Sequence, residues 1–530
     1  MNQKTRLAAL VLCLGVSGAV QADVRLPAVV SDHMVLQAGK PAAVWGWADP
    51  GEKVSVQLGN RKAETVAGSN GKWSLKVDLP AGEGPHELVV RGKNTLTVND
   101  VLVGEVWICS GQSNMEWSVA QALNPKEEAE AANFPKIRHF KVSKVVAHTP
   151  ADDVKGAWVV CAPNTVSGFS AVGYFFGREL HQKLNQVPVG LVGSNWGGTV
   201  AEAWTSRPAL EAASSLKPML DRYDASAASF DEEKAKAAFE KASEAYDKAK
   251  EKWKADLEKA KAEGKPLPQP LRPPAQARNP KEGQNFPANL YNGMIAPLLP
   301  MQIRGAIWYQ GESNVGRAIQ YRTVFPTMIA NWRADFAQGD FPFHFVQLAP
   351  YGYARGKADA DLTPCAELWE AQLLTLRKVA NTGMAVTTDI GDVKDIHPKN
   401  KQEVGRRLAL WALARDYGQK NLVYSGPLYT GSSVEGDKVR IRFEHGAGLK
   451  ARDGKALTHF TIAGADQKFV EAEAVVDGET LVVKSASVPQ PVAVRFAWRE
   501  DAEPNLVNGA GLPASPFRTD DFPAVTAGKE

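Results

Sequence analysis

The sequence predicts an α/β fold, a parallel-sheet domain set between two all-β domains. Three observations carry that expectation. Residues 105–418 alternate apolar strand-like runs with helical stretches, which is the pattern of a parallel sheet with crossover helices. Residues 23–104 and 419–530 instead show short strands broken by turns at regular spacing. Four apolar runs in the middle region end in polar, glycine-bearing loops, and the carboxyl ends of parallel strands are where such sheets carry their chemistry.

Taken in order, the chain starts with Lys4 and Arg6, an apolar stretch from Leu7 to Val20 and a small-residue site at Val20-Gln21-Ala22. This reads as a secretory signal peptide over 1–22, too short to span a bilayer, so an exported, periplasmic or secreted protein with no membrane partner is expected. Leu12 before Cys13 argues against lipidation, which wants a small residue there. From 23 to 104, Ala42 to Trp47, Val54 to Leu58, Trp73 to Val77 and His86 to Val90 alternate, separated by Asp49-Pro50-Gly51, Ser69-Asn70-Gly71 and Ala81-Gly82-Glu83-Gly84. A β-sandwich is expected, as a brace for its neighbour ahead of a carbohydrate-binding module.

The middle domain is interrupted at about 209–285. Ser229 and Glu232 form a capping-box pattern, and Phe239, Ala242, Tyr246, Ala249 and Trp253 repeat at heptad spacing. The expectation is a long amphipathic helix, stopped at Gly264-Lys265-Pro266 and followed by a proline-rich connector to Pro280, the whole arm packed on the protein's own surface. Val404, Leu408 and Trp411 mark a further helix ending near Gly418. Beyond 419, Lys438 to Phe443, Thr480 to Lys484 and Val492 to Trp498 return to strands.

The 530 residues hold 62 Lys plus Arg against 59 Asp plus Glu, a net charge of +3, which offers no electrostatic basis for nucleic-acid binding. After the leader, Cys109, Cys161 and Cys365 permit one disulfide at most. No Cys/His spacing matches a metal site, so neither metal nor cofactor is expected. No feature of the sequence specifies an oligomeric state.

The chemistry concentrates in four segments. Ile108-Cys109-Ser110-Gly111-Gln112-Ser113-Asn114-Met115 delivers a serine from a buried strand into a tight turn. Val189 to Thr199 supplies Trp196-Gly197-Gly198, Ile303 to Asn314 supplies Gln310-Gly311-Glu312-Ser313-Asn314, and Met384 to Pro398 supplies several aspartates beside His397. A serine hydroxyl becomes a nucleophile only when a base takes its proton, and the oxyanion that follows needs donors already in place. Serine, histidine, carboxylate, glycine amides and an asparagine amide are together the parts of a serine esterase. Ser113 is the expected nucleophile and His397 the base. Asp395 is the first choice to orient the imidazole, with Asp392 and Asp389 open, as is a backbone carbonyl in a Ser-His dyad.

These four blocks, in this order, resemble those of the SGNH hydrolase superfamily and specifically the sialate O-acetylesterase family. Leu26 to Gln37, Asp395-Ile396-His397-Pro398-Lys399-Asn400-Lys401 and Gly511 to Asp520 are similar to that family too. The resemblance implies an SGNH-type three-layer α/β/α catalytic domain and a carbohydrate O-acetylesterase. It also implies an oxyanion hole from the backbone amides of Ser113 and Gly198, or Gly197 in its place, and the side chain of Asn314. The superfamily's aspartate usually stands three residues before the histidine, where this chain has Lys394. Gln112, Trp196, Gln310 and Glu312 flank the site as candidate sugar contacts. The implied partner is an acetylated carbohydrate, 9-O-acetylated sialic acid first, with acetylated xylan or xyloglucan as the alternative. Two other classes stay open on the residues alone: a glycoside hydrolase using a pair from Asp389, Asp392, Asp395 and Glu312, and a non-catalytic glycan-binding protein.

Overall fold

One strand, Thr95–Gly111, is 17 residues long and serves two sheets. Its first half pairs antiparallel with His86–Arg91, and its second half lies between the parallel strands Val189–Asn195 and Gly305–Tyr309. Side-chain pattern explains the switch. The first residues alternate between exposed and covered, as a sheet with one wet face requires, whereas Val101 to Gly111 are all buried, as a strand covered on both faces must be. The computed structural model describes residues 23–356 and 360–529, so the leader expected at 1–22 lies outside the described residues.

Before this strand, Ala42–Trp47 pairs with Lys72–Val77, and Arg61–Val66, Lys53–Leu58 and His86–Arg91 form a second antiparallel set. Their inward residues, among them Val44, Val56, Leu58 and Val90, join the same continuous core as Trp107, Ile108 and Val192 of the central sheet. The N-terminal strands are thus fused to the α/β unit through apolar packing as well as through the shared strand.

The central sheet runs in the order Thr382–Ala385, Phe343–Val346, Gly305–Tyr309, Thr95–Gly111, Val189–Asn195, Phe134–Lys141, Trp158–Cys161. All neighbours are parallel except the last pair. The sheet is therefore mixed rather than purely parallel, because the loop after Lys141 returns the chain to the same edge without a crossover helix. Strand order reverses around Thr95–Gly111, with Val189–Asn195 on one side and Gly305–Tyr309 on the other. A crevice opens at the carboxyl ends of strands at such a point.

Helix Ala171–Lys183 packs on Lys401–Arg415, and Ala318–Phe336 packs on Pro364–Lys378. The first crossing is close because Gly405 has no side chain: a Cβ there would come within 2.6 Å of the Phe176 backbone nitrogen. The inserted helix is Glu232–Ala262, and Asp231 rather than Ser229 caps it, accepting the Lys234 N–H at 2.9 Å. Ser229 is already engaged as the C-cap of a preceding helix, Lys217–Ala228, which the sequence pattern did not separate. No residue of Glu232–Ala262 is buried. Phe239, Tyr246 and Trp253 of the heptad series are half-buried, while Ala242 and Ala249 are exposed.

The C-terminal region holds two four-stranded antiparallel sheets around its own core, in which Val439, Ile441, Phe460, Phe496 and Phe517 are buried. The tail then returns to the α/β unit. The Glu367 carboxylate accepts the backbone N–H groups of Val525 and Thr526 at 2.7 and 3.0 Å, and Arg518 reaches Glu370 at 2.9 Å. Among the described residues no helix is long and apolar enough to cross a membrane. Cys109, Cys161 and Cys365 are free buried thiols, and burial pushes Cys161 up to about 12.

Candidate active site

Ser113 is placed by its strand. Gly111 ends that strand at φ +137°, and a Cβ on it would lie 2.1 Å from the Tyr309 carbonyl oxygen. Only glycine allows the chain to turn here while the strand stays in register with Gly305–Tyr309. The Gln112 N–H donates to the same carbonyl at 2.9 Å, and the amides of Met115 and Glu116 donate back to the Gln112 carbonyl. Ser113 therefore opens a short helical turn, Ser113–Glu116, at the carboxyl end of the central strand.

His397 arrives from the loop between Thr382–Ala385 and Lys401–Arg415. Its Nε2 lies 2.9 Å from Ser113 Oγ, the geometry in which the hydroxyl donates to a neutral imidazole. The indole of Trp117, one turn beyond Ser113, stacks on the imidazole at 4.5 Å and 12°. Asp395 Oδ1 accepts the His397 backbone N–H at 3.0 Å and lies 3.8 Å from Nδ1, beyond hydrogen-bond reach. The other two aspartates are engaged elsewhere. Asp392 accepts the Lys394 N–H at 2.8 Å, and Asp389 is gripped by both terminal nitrogens of Arg407 at 2.6 and 2.8 Å. Burial lowers the pKa of His397, the positive charge of Lys401 lowers it further, and Asp395 opposes both.

The remaining loops interlock around this pair. Glu116 accepts the Gly197 N–H at 2.8 Å, which occupies that amide, while the Gly198 carbonyl accepts from Asn285 at 3.1 Å. The same Glu116 carboxylate pairs at 2.6 Å with Lys144, whose ammonium lies 5.6 Å from the Trp196 ring centre. Asn314 donates one amide hydrogen to Glu202 at 2.9 Å, and its oxygen accepts from Gln310 at 2.6 Å and from the Ala201 N–H at 3.1 Å. Gln310 also donates to the Thr199 carbonyl and accepts from the Tyr321 hydroxyl. Glu312 is half-buried, bonded to Asn114 through Oε1 and with its buried Oε2 unpartnered, and desolvation raises its pKa.

All four sequence segments thus converge on Ser113. Of the four candidate sugar contacts, Gln112 and Gln310 are buried, while Glu312 and Trp196 are each half-buried. Trp117, Glu116 and Lys144 were not legible as site residues. Glu116 and Trp117 had a local signal, standing three and four residues after the serine. Among the described residues no three His, Cys, Asp or Glu side chains cluster as a metal site requires.

A family model described as carbohydrate esterase, sialic acid-specific acetylesterase, matches residues 103–262 and 281–414. The chain belongs to this family. Sialate O-acetylesterase of Rattus norvegicus is 30% identical over 513 residues, 89% of each chain. That of Mus musculus is 30% identical over 540 residues, 92% of each. The crystal structure of a carbohydrate acetylesterase from Xanthomonas citri has a TM-score of 0.78 and 37% identity, covering 94% of this chain and 100% of that one. This esterase is a carboxylic ester hydrolase of the carbohydrate esterases. The gap in the family match, 263–280, falls on the proline-rich connector.

Proposed function

We propose that this esterase removes O-acetyl groups from glycans through an acetyl-Ser113 intermediate, with O-acetylated sialic acid as its substrate class. The contact between Ser113 Oγ and His397 Nε2 at 2.9 Å carries the mechanism. As Oγ bonds to the acetyl carbon, His397 takes the hydroxyl proton, then passes it to the departing sugar oxygen. A water that gives its proton to His397 attacks the acetyl-serine, and acetate leaves as the proton returns to Oγ. The depressed pKa of His397 suits this role, because a base must be neutral to act.

The amides of Ser113 and Gly198 and the second amide hydrogen of Asn314 form the oxyanion hole in this mechanism, each donor contributing about 3 kcal/mol. Occupation of the Gly197 N–H by Glu116 favours Gly198 over its neighbour. Asp395, near but not bonded to Nδ1, stabilises the imidazolium through space. The α/β unit is an SGNH-type three-layer domain at about 105–418, braced by β-domains at 23–104 and 419–530, in a protein exported after loss of 1–22.

Sialic acid carries a carboxylate and needs a cation near the acetyl-bearing face. Lys144 beside Trp196 is a cation at the site, though Glu116 already pairs with it, so the reading rests first on the names of the rat and mouse relatives. The test is acetate release from acetylated sialic acid, xylan and xyloglucan by the wild type and by Ser113→Ala. Release from the sialate that vanishes in the variant supports both halves of the proposal. Full activity in Ser113→Ala refutes the mechanism, and release from the neutral polysaccharides alone refutes the substrate class.

A further inference from the structure

Beside the Ser113–His397 pair lies a buried charged cluster that the acetyl transfer does not use. Lys401 is fully inaccessible, 5.1 Å from the Tyr309 ring centre, and its Nζ donates to the side-chain oxygen of Asn114. The Asn114 amide nitrogen donates in two directions, to the Glu312 carboxylate and, at 2.9 Å, to the Ile396 carbonyl. Ile396 immediately precedes His397, so this amide pins the histidine loop to the turn that carries Ser113. An ammonium offers only donors, a carbonyl only an acceptor. With Lys401 on one side and Ile396 on the other, Asn114 has one allowed orientation; flipped, it would set oxygen against oxygen and nitrogen against ammonium.

We propose that Lys401 is a positioning residue, locking Asn114 in the orientation that holds the His397 loop against Ser113. The proposal rests on Ser113 and His397 being the catalytic pair. Lys401 couples three of the sequence segments, since Asn114, Glu312 and Ile396 belong to three different strand ends. Its charge also reaches the imidazole. Burial pushes Lys401 down to about 7 against the pull of Glu312 and Asp395. His397 in turn is faced by Lys401, Asp395, Ser113 and Trp117, and Lys401 is the one of these that disfavours the imidazolium by charge.

The experiment compares Lys401→Met and the double variant Lys401→Met/Glu312→Gln with the wild type and Ser113→Ala, in thermal unfolding and in pH-resolved acetate release. The double variant leaves no lone buried charge and carries the test if the single one does not fold. The expected result is kcat down by about 10- to 100-fold from a displaced histidine loop, with KM within about two-fold. The acid limb of kcat/KM moves to higher pH in Lys401→Met, because the neighbouring positive charge is gone. A folded variant with wild-type kcat and an unmoved acid limb overturns the proposal, as does failure of both variants to fold, which would make Lys401 a scaffold residue. Full activity in Ser113→Ala also overturns it, and places the fault in the catalytic pair rather than in Lys401.

Discussion

Gly111→Ala is the sharpest structural test of how the serine is presented. The added Cβ would lie 2.1 Å from the Tyr309 carbonyl oxygen, 2.7 Å from its carbon and 2.9 Å from its nitrogen. Backbone cannot rotate away as a flexible side chain would, so the two strands must separate by roughly 1 Å to regain contact distance. Overpacking of this kind costs about 1–3 kcal/mol. The φ of +137° adds about 1–3 kcal/mol for a residue that is not glycine. Together the loss is roughly 2–6 kcal/mol. Function should suffer beyond this, because the strand pair carries Ser113 on one side and Asn314 on the other, and a shift of about 1 Å costs on the order of 100-fold in rate. Denaturant unfolding and acetate release on the same preparation measure both effects. Gly168→Ala is the control, since its Cβ would meet nothing within 4 Å, and it should stay within about 0.5 kcal/mol. A Gly111→Ala protein with wild-type midpoint and turnover would refute the claim that this glycine sets the register of the two strands.

Three further predictions follow from the same geometry. Asp395→Asn should lower kcat by less than about 100-fold, well short of the roughly 10⁴ seen where a triad aspartate bonds the imidazole directly; a loss of that larger size would mean that the 3.8 Å separation closes in turnover. The acid limb of kcat/KM should have its midpoint below the ordinary histidine value of about 6.5. Activity rises as His397 loses its proton, and burial together with Lys401 moves that loss to lower pH, so a midpoint above the ordinary value would contradict the site's electrostatics. Replacing 232–278 by a short glycine-serine linker should leave stability within about 0.5 kcal/mol, because none of these residues is buried. The Asn279 side chain lies 3.5 Å from the Ala227 carbonyl, so the ends are already close, and loss of acetate release in a folded deletion would assign the arm a role in the site.

Much of the candidate site was legible because Ser113 and His397 leave local marks. Ser113 follows a continuous apolar run and a glycine, and each needed segment ends a strand of the same kind. Paired roles were less legible. Asp389, Asp392 and Asp395 lie within seven residues of one another and cannot be ranked by composition; Arg407, eighteen residues beyond Asp389, is what removes that one from contention. Likewise Gly197 and Gly198 are equivalent as text, and a carboxylate from the serine's own turn, Glu116, takes one of the two amides. At the insertion, Ser229 and Asp231 are both good caps, and the choice depended on whether a second helix had already ended at Ala228.

By itself the sequence determined the α/β class and the carbohydrate esterase family: alternating strand and helix periods, apolar strands ending in polar loops, and a serine, a histidine and several amides in a recognisable order. Those features are local, written within ten or so residues by backbone propensity and side-chain spacing. Tertiary structure alone decided that Lys401 is buried rather than solvated and that Asn114 binds Glu312 from another strand end. It also decided that the edge strand Trp158–Cys161 runs antiparallel. Each of these depends on what packs against a residue from far along the chain, and burial and charge pairing are properties of neighbours that linear order does not record.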